Sequence, residues 1–199
     1  MPDKYKSFSE LNEKEKRDVD FCIRLQERIG TTAVIAPHGG GIEPGTSEIA
    51  QAIAGENLSF YSFDGIKSTG NRDLHITSTR FDEPQCLALV KASPRILSIH
   101  GEDSEQQVAF LGGRDTAMLK RLHDSLVGGG FVVETHKNPA LQGTDEANIC
   151  NRGRDRCGVQ IELSNGLRSS FFPSLSRKGR LTKTQRFEQF VNAVRAVIV

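Results

Sequence analysis

Three short apolar runs constrain the fold of this chain more than any other feature of its sequence. They are TAVIAPH at residues 32–38, RILSIH at 95–100 and GVQIELS at 158–164. Short runs that are apolar on both faces and rich in β-branched side chains are typical of central strands in a parallel sheet. Each of these runs also ends at or contains an ionisable residue, so their ends are candidate positions for a functional site.

Segments with helical periodicity alternate with strand-like segments along most of the chain. After the first run, Ile49, Ala50, Ile53 and Ala54 share one helical face, and Gly55 ends that helix. Further helices are predicted over residues 7–15, 83–93, 116–130 and 182–199. Further strands are predicted over residues 20–28, 57–65, 73–79 and 130–136, with a turn at Ile29-Gly30-Thr31 and a polar loop at 138–157. The pattern predicts one α/β domain over residues 1–199, with a mixed, mostly parallel central sheet flanked by helices.

The composition argues against two classes of partner. The 26 Lys and Arg residues balance 25 Asp and Glu residues, so the chain lacks the basic surplus typical of nucleic-acid binding. No apolar run approaches the roughly 20 residues that a membrane span needs. The polar N-terminus lacks the apolar segment of a signal peptide, which predicts synthesis in the cytoplasm and action outside the cell only after lysis.

The ends of the three runs suggest a metal site. His38 ends the first run, His100 ends the second, and Glu162 lies within the third, while Glu43 follows His38 across three glycines. Ligands bind at the carboxyl ends of strands in such sheets. Two histidines, one carboxylate and an open position make a catalytic zinc site, and a further carboxylate can act as the base.

Each of these residues also has a structural interpretation. A histidine at a strand end is often a hydrogen-bonded structural residue, and Glu43 beside Pro44 is consistent with a simple turn. An ionised Glu162 in an apolar strand is harder to explain without a partner.

The three glycines that follow His38 allow a competing interpretation as a phosphate-binding loop between a strand and a helix. The segment HGGGIEPG at residues 38–45 lacks both the GKS or GKT ending of the nucleotide phosphate loop and the GxGxxG spacing of dinucleotide sites. We therefore interpret the glycines as a hinge that lets His38 and Glu43 reach one ion.

Four segments resemble the successive motifs of a known family. APHGGGIEPGTSEIA, LHITSTRFDEP, SIHG and NICNRGRDRCGVQIELS are similar to motifs of the phage and bacterial poly-γ-glutamate hydrolases, over about residues 30–170. That family resembles the zinc carboxypeptidases and N-formylglutamate amidohydrolases in fold. The resemblance implies a zinc-dependent hydrolase that cleaves the γ-glutamyl amide bonds of poly-γ-glutamate, a bacterial capsule polymer that phages strip with such enzymes.

The resemblance also implies roles for individual residues. His38, Glu43 and His100 match the ligands of one zinc ion (Zn2+), although four residues rather than two separate the first pair. Glu162 matches the general base. His75 belongs to a family motif and is interpreted as a donor to substrate or transition state, with a structural histidine as the alternative.

A polyanionic substrate calls for side chains that bind carboxylates. Poly-γ-glutamate carries a free α-carboxylate on every residue, and arginine binds carboxylates through two parallel hydrogen bonds. Arg152, beside Asn151 in the last motif, is the strongest candidate. Arg80, Arg114 and Arg168 are further candidates. We expect a monomer that binds this polymer.

Three other functions stay open from the sequence. A zinc deacylase of small N-acyl-glutamates would keep the metal and change the substrate, and a phosphate- or carbohydrate-binding module would use the glycine loop without catalysis.

The four cysteines lack a CxxC pair and are interpreted as small buried hydrophobic residues. A cysteine nucleophile, Cys86 or Cys150, is the third alternative.

Overall fold

The structure, a computed structural model, describes residues 3–30 and 32–199. The strands are β1 (Phe21–Gln26), β2 (Thr32–Gly40), β3 (Ser59–Gly65), β4 (Arg95–Glu102), β5 (Val108–Gly113), β6 (Val132–Glu134) and β7 (Val159–Ser164). The α-helices are α1 (Phe8–Lys14), α2 (Thr46–Ala54), α3 (Pro84–Ala92), α4 (Thr116–Gly128), α5 (Asn165–Ser170) and α6 (Gln185–Ile198). Short 3-10 helices span Asn71–Leu74, Pro139–Leu141, Ile149–Asn151 and Gly179–Leu181.

Within the described residues the strands form one sheet in the order β1-β3-β2-β4-β7-β5-β6. The four central strands β3, β2, β4 and β7 run parallel to one another. β1 pairs antiparallel with β3 at one edge, and β5 pairs antiparallel with β7 and parallel with β6 at the other. This topology confirms the predicted α/β fold with a mixed, mostly parallel sheet flanked by helices.

Helices cover both faces of the sheet, and each face has its own hydrophobic core. On one face Val34 and Ile161 of the sheet belong to the same core as Ile53, Leu122 and Phe190 of α2, α4 and α6. The opposite core is formed by a second set of buried residues from β2, β3, α1, α3 and the segment after β3. They include Ile35, Tyr61, Leu11, Phe81 and Leu89. None of the described helices is both long and apolar enough to cross a membrane.

Capping side chains define where several helices begin. Thr184 accepts a hydrogen bond from the backbone N–H of Phe187 at the start of α6, and Asp115 accepts one from Met118 at the start of α4. Glu83 does the same for α3, whose first residue is Pro84. These contacts satisfy backbone donors that a helix leaves free at its N-terminus, so the helix boundaries are set by local sequence.

A bulge in β2 reverses the direction in which its last side chains point. Ala36 pairs with Ser62 of β3, but the next pair joins Gly39 to Asp64, so β2 contains one residue more than its partner over this interval. Because side chains alternate along a strand, an extra residue moves the following side chain to the other face. His38 therefore lies on the α1 and α3 side of the sheet.

That side also carries the polar residues of the neighbouring strands. His100 in β4 and Glu162 in β7 pair directly in the parallel register, so their side chains share a face. In each strand the alternate residues, such as Ile99 and Ile161, pack into the opposite core. The bulge thus brings His38 to the same face and the same end of the sheet as His100 and Glu162.

The sequence-based assignment was wrong at residues 73–79, which were predicted to form a strand. The structure has a 3-10 helix over Asn71–Leu74 and then an extended segment outside the sheet. Leu74 and Ile76 are buried on either side of the less buried His75, which explains the alternating pattern. The segment lies across the sheet face rather than within it.

The predicted turn at Ile29-Gly30-Thr31 includes Thr31, which lies outside the described residues.

We expect Gly40→Ala to reduce the free energy of unfolding by about 2–4 kcal/mol, in the range of backbone strain combined with overpacking. Gly40 has a φ of +64°, and an added Cβ would lie under 3.0 Å from the carbonyl oxygen of Gly65. Gly128→Ala is the matched control, because a Cβ there meets nothing within 4 Å. Urea denaturation of both variants measures the difference in the free energy of unfolding. Equal stabilities would contradict the strained, closely packed conformation assigned to Gly40.

Candidate metal centre and cleft

A cleft of about 520 Å³ opens at the carboxyl ends of the central strands. Five of the residues predicted from the sequence line it, namely His38, Glu43, His75, His100 and Glu162. Three of them come from β2, β4 and β7, and the other two come from the turn after β2 and from the extended segment after β3. The structure therefore brings together every residue that was predicted as a metal ligand or catalytic group.

His38 presents one ring nitrogen to the cleft. Its Nε2 lies 2.8 Å from the carbonyl oxygen of Ile76. Because a carbonyl only accepts hydrogen bonds, Nε2 carries the proton, and the neutral ring then has its lone pair at Nδ1. That Nδ1 lies 3.0 Å from Oε1 of Glu43 and 3.1 Å from Nδ1 of His100.

His100 is arranged in the same way. Its Nε2 lies 2.8 Å from the hydroxyl of Ser98, two residues earlier in β4 on the same face. Its Nδ1 faces His38 and lies 3.7 Å from Oε2 of Glu43. Both histidines are buried, so their rings are held by protein contacts rather than by solvent.

The turn after β2 places Glu43 against both rings. The backbone N–H of Glu43 donates to the carbonyl of His38 at 2.9 Å, which closes the turn over the glycines. The backbone N–H of Gly101 donates to Oε2 of Glu43 at 2.7 Å. Burial opposes ionisation of Glu43, but the neighbouring His38 and His100 outweigh it and hold its pKa well below the usual range. Glu43 is therefore a carboxylate.

This set of atoms fits a bound cation. Two imidazole Nδ1 atoms and a carboxylate converge, and with neutral rings they present lone pairs to one another, an arrangement that a positive ion stabilises. Their separations of 3.0, 3.1 and 3.7 Å bracket the value of about 3.3 Å expected between ligands of a tetrahedral ion with bonds of about 2.0–2.1 Å. His38, Glu43 and His100 are thus able to hold a metal.

His75 is a fourth residue near these ligands. Its ring stacks on that of His38 with centroids 4.0 Å apart, and its Nε2 lies 3.8 Å from Oε1 of Glu43. His38, Glu43 and His75 also form a possible metal-binding group, with ligand atoms within 4.8 Å of one another. We favour His100 as the third ligand because its Nδ1 lies 3.1 Å from Nδ1 of His38 and 3.7 Å from Oε2 of Glu43. The electrostatic effect of the neighbouring His38, together with burial, lowers the pKa of His75 to about 4.

Glu162 is held by a chain of buried amides. Its Oε1 accepts a hydrogen bond of 2.8 Å from Nε2 of Gln160, whose Oε1 accepts one of 2.9 Å from Nδ2 of Asn148. Burial and the nearby charge of Glu43 raise the pKa of Glu162 well above its usual value. Sequence reasoning missed Gln160 and Asn148, although the spacing of two between Gln160 and Glu162 places both on one face of a strand.

Arg152, Asn151 and Arg168 were predicted to bind substrate, and in the structure their side chains bind backbone carbonyls. The Arg152 guanidinium donates to the carbonyls of Thr79, Phe81 and Ala147. Asn151 is buried and donates to the carbonyls of Gly143 and Asp145.

Arg168 is buried and donates to the carbonyls of Leu163, Pro44 and Glu102. Each side chain joins backbone segments, and none of the three lines the cleft.

The remaining predicted arginines also lie outside the cleft lining. Arg80 pairs with Asp3 at 2.6 Å, and Arg114 pairs with Glu146 at 2.7 Å. The arginine that does line the cleft is Arg72, which sequence reasoning missed. Its side chain is 62 % exposed and lies 2.6 Å from Asp103 across the mouth.

The geometry does not support a cysteine nucleophile. Cys86 and Cys150 are buried and line no part of the cleft. Burial raises the pKa of Cys86 well above its usual value and that of Cys150 to about 12. Since the thiolate is the reactive form, both side chains stay unreactive near neutral pH.

We expect Arg168→Met to lower the free energy of unfolding by about 3 kcal/mol or more, because three carbonyls would lose a charged donor. Arg114→Met is the matched control and should change stability by less than about 1 kcal/mol, since it removes an exposed ion pair. Thermal unfolding measures both. An Arg168→Met variant with an unchanged melting temperature and a raised KM would instead support substrate binding by Arg168.

Known proteins resemble this chain in both sequence and fold. A family model described as poly-gamma-glutamate hydrolase matches residues 5–193. The UPF0714 protein YndL of Bacillus subtilis (strain 168) is 38% identical over 194 residues, covering 96% of this chain and 76% of YndL. A zinc-free structure of YndL matches with a TM-score of 0.91 and 36% identity, covering 98% of this chain and 97% of that one.

Two further solved structures have a similar fold. A bacteriophage poly-gamma-glutamate hydrolase matches with a TM-score of 0.95 and 30% identity, covering 98% of this chain and 96% of that one. N-formylglutamate amidohydrolase from Ralstonia eutropha JMP134 shares the fold, with a TM-score of 0.54 and 12% identity over 90% of this chain and 96% of that one. The chain therefore belongs to the poly-gamma-glutamate hydrolase family.

Proposed function

We propose that this protein is a zinc-dependent hydrolase that cleaves the γ-glutamyl amide bonds of poly-γ-glutamate. The observation that carries the proposal is the convergence of the Nδ1 atoms of His38 and His100 and the carboxylate of Glu43 beside the buried carboxyl of Glu162. Family membership supports the reaction, and a zinc-free form of the relative YndL supports zinc as the ion.

His38, Glu43 and His100 would hold the ion and leave a coordination position open, as catalytic zinc sites do. When bound, zinc polarises the scissile carbonyl and lowers the pKa of a water molecule toward neutrality. The protein supplies the orientation, because Ile76, Ser98 and Gly101 fix the three ligand side chains through hydrogen bonds. Such supporting contacts commonly affect metal affinity by about 10–100-fold.

Glu162 is the general base in this proposal. It removes a proton from the attacking water as the oxygen bonds to the carbonyl carbon, and it then delivers that proton to the amide nitrogen as the C–N bond breaks. The raised pKa of its carboxyl reflects burial and the charge of Glu43. A cation beside Glu43 would favour the ionised form, which moves the pKa of Glu162 back toward the range suited to a base near neutral pH.

Arg72 is the permanent cation that lines the cleft. The lining also includes the carboxyl groups of Glu43, Glu102, Asp103 and Glu162, which would repel a polyanion in the absence of a cation. Arg72 is well exposed and can move from Asp103 to a substrate carboxylate, with which a guanidinium forms paired hydrogen bonds.

The location of the polymer indicates where the enzyme would act. Poly-γ-glutamate is an extracellular capsule polymer, so we propose that the enzyme degrades capsule after release by lysis. We propose that it acts as a monomer. A deacylase of small N-acyl-glutamates and a non-catalytic binding module are the competing outcomes of the tests below.

We expect purified protein to contain about one zinc per chain and to lose polymer cleavage on chelation, with recovery on addition of zinc. His100→Ala should lose the metal, whereas His123→Ala should retain it, because His123 is an exposed residue of α4. Metal analysis and the molecular weight of the digested polymer are the measurements. A binding module predicts no cleavage, and preference for N-formyl-glutamate over polymer would favour the deacylase.

We expect Glu162→Gln to keep its zinc and to lower kcat by about 10²–10⁴-fold, because a carboxamide cannot accept the proton. Gln is close in size to Glu, so the thermal unfolding temperature provides the control for folding. Activity within a few-fold of the unchanged protein would exclude Glu162 as the base.

We expect Arg72→Ala to raise KM for the polymer about tenfold, in line with the loss of roughly 1.5 kcal/mol for one charge-assisted hydrogen bond. Added salt should raise KM of the unchanged protein through screening and should affect the variant less. Steady-state kinetics at several salt concentrations test this. Equal KM values for both proteins would remove Arg72 from the substrate site.

A further inference from the structure

A buried carboxylate near the N-terminus lies directly behind His75. The Asp3 side chain is 5 % exposed, although it is the first residue that the structure describes. It accepts hydrogen bonds from Nδ1 of His75 at 2.7 Å, from the backbone N–H of Thr77 at 2.7 Å and from the guanidinium of Arg80 at 2.6 Å. Three donors thus converge on one carboxylate.

The charge of Asp3 decides which nitrogen of His75 carries a proton. Burial opposes ionisation of Asp3, but the hydrogen bonds from Thr77 and His75 outweigh it and hold its pKa below the usual value. An ionised carboxylate only accepts hydrogen bonds, so Nδ1 of His75 must be the donor. A neutral His75 then has its lone pair at Nε2, the atom that lies 3.8 Å from Oε1 of Glu43.

The segment that carries His75 has little regular structure to orient it. It follows the 3-10 helix at Asn71–Leu74 and belongs to no strand of the described sheet. Burial of Leu74 and Ile76 fixes the backbone on either side, but the ring itself is partly exposed. The contact with Asp3 is therefore the hydrogen bond that sets the rotation of the ring.

The N-terminal segment is itself well anchored. Tyr5 is buried, and its hydroxyl donates to Glu15 at 2.6 Å. Lys4 pairs with Asp73 at 3.1 Å and with Glu15 at 3.5 Å. These contacts give Asp3 a defined position against the wall of the cleft.

We infer that Asp3 is a positioning residue of the hydrolase, which holds His75 with Nδ1 protonated and directs the Nε2 lone pair into the cleft. His75 then accepts a hydrogen bond from water or from an N–H of the substrate, rather than acting as the donor that the sequence suggested. Carboxylate–histidine pairs orient imidazoles in this way in other sites. The inference deepens the proposed function and rests on it.

The test compares Asp3→Asn with Lys4→Ala in the full chain, with any purification tag at the carboxyl end. The carboxamide of Asn cannot accept all three hydrogen bonds, since one of its two polar atoms is a donor. We expect kcat on the polymer to fall about tenfold or more, with KM within about twofold and little change in melting temperature. Lys4→Ala removes a neighbouring contact without touching His75 and should keep the original kcat.

Nitrogen-15 NMR of the imidazole rings in metal-free protein provides the second measurement. The unchanged protein should show His75 as the Nδ1-protonated tautomer, and Asp3→Asn should lose that preference. An unaltered His75 spectrum or an unaltered kcat in Asp3→Asn would overturn the inference, as would an equal loss of kcat in Lys4→Ala. If the unchanged protein cleaved no polymer, the proposed function would fail, while the ring spectrum would still decide the role of Asp3.

Discussion

The guanidinium of Arg168 connects the three backbone segments on which the candidate site is built. It donates to the carbonyls of Pro44, Glu102 and Leu163, which lie within two residues of Glu43, His100 and Glu162. Only arginine has a fork of donors wide enough for three carbonyls, because lysine carries a single ammonium group. Its positive charge also lies among the site carboxylates and offsets part of their repulsion. The positions of the backbone segments that carry Glu43, His100 and Glu162 therefore depend on one buried side chain.

The bulge in β2 is a local feature with a similarly wide effect. It reverses the alternation after Ala36 and turns His38 toward the face that carries His100 and Glu162. The glycines that follow His38 are required for close packing against neighbouring side chains as well as for the turn of the backbone. A Cβ on Gly39 would collide with Asp64 and Ser47, and Gly40 has a positive φ. The hinge interpretation of this segment was thus only part of its role.

Local patterns were sufficient to predict the parts of the structure that follow from local rules. The runs at residues 32–38, 95–100 and 158–164 form β2, β4 and β7. Because parallel strands end at the same edge, the assignment of those strands put His38, His100 and Glu162 at one end of the sheet, while the bulge in β2 determined the face on which His38 lies. Glu43, which follows His38 across the glycines, was proposed with them, and the structure places it against both histidines.

What the sequence could not provide were contacts between distant segments. A buried arginine that binds carbonyls and an arginine that lines a cleft have the same local sequence signal, so the sequence did not separate Arg168 and Arg152 from Arg72. Residues 73–79 show the same limit, because alternating burial arises both within a sheet and in a segment lying across it.

The charges of the cleft link metal binding to substrate binding under the proposed function. Four carboxyl groups and one arginine line the cleft, so its own charge opposes a polymer with a carboxylate on every residue. A divalent cation held by His38, Glu43 and His100 would reverse much of that opposition beside the scissile amide. It would also favour ionisation of Glu162, so the group that attracts the substrate would also prepare the base. By linkage, the polymer then strengthens the binding of the cation to the same extent.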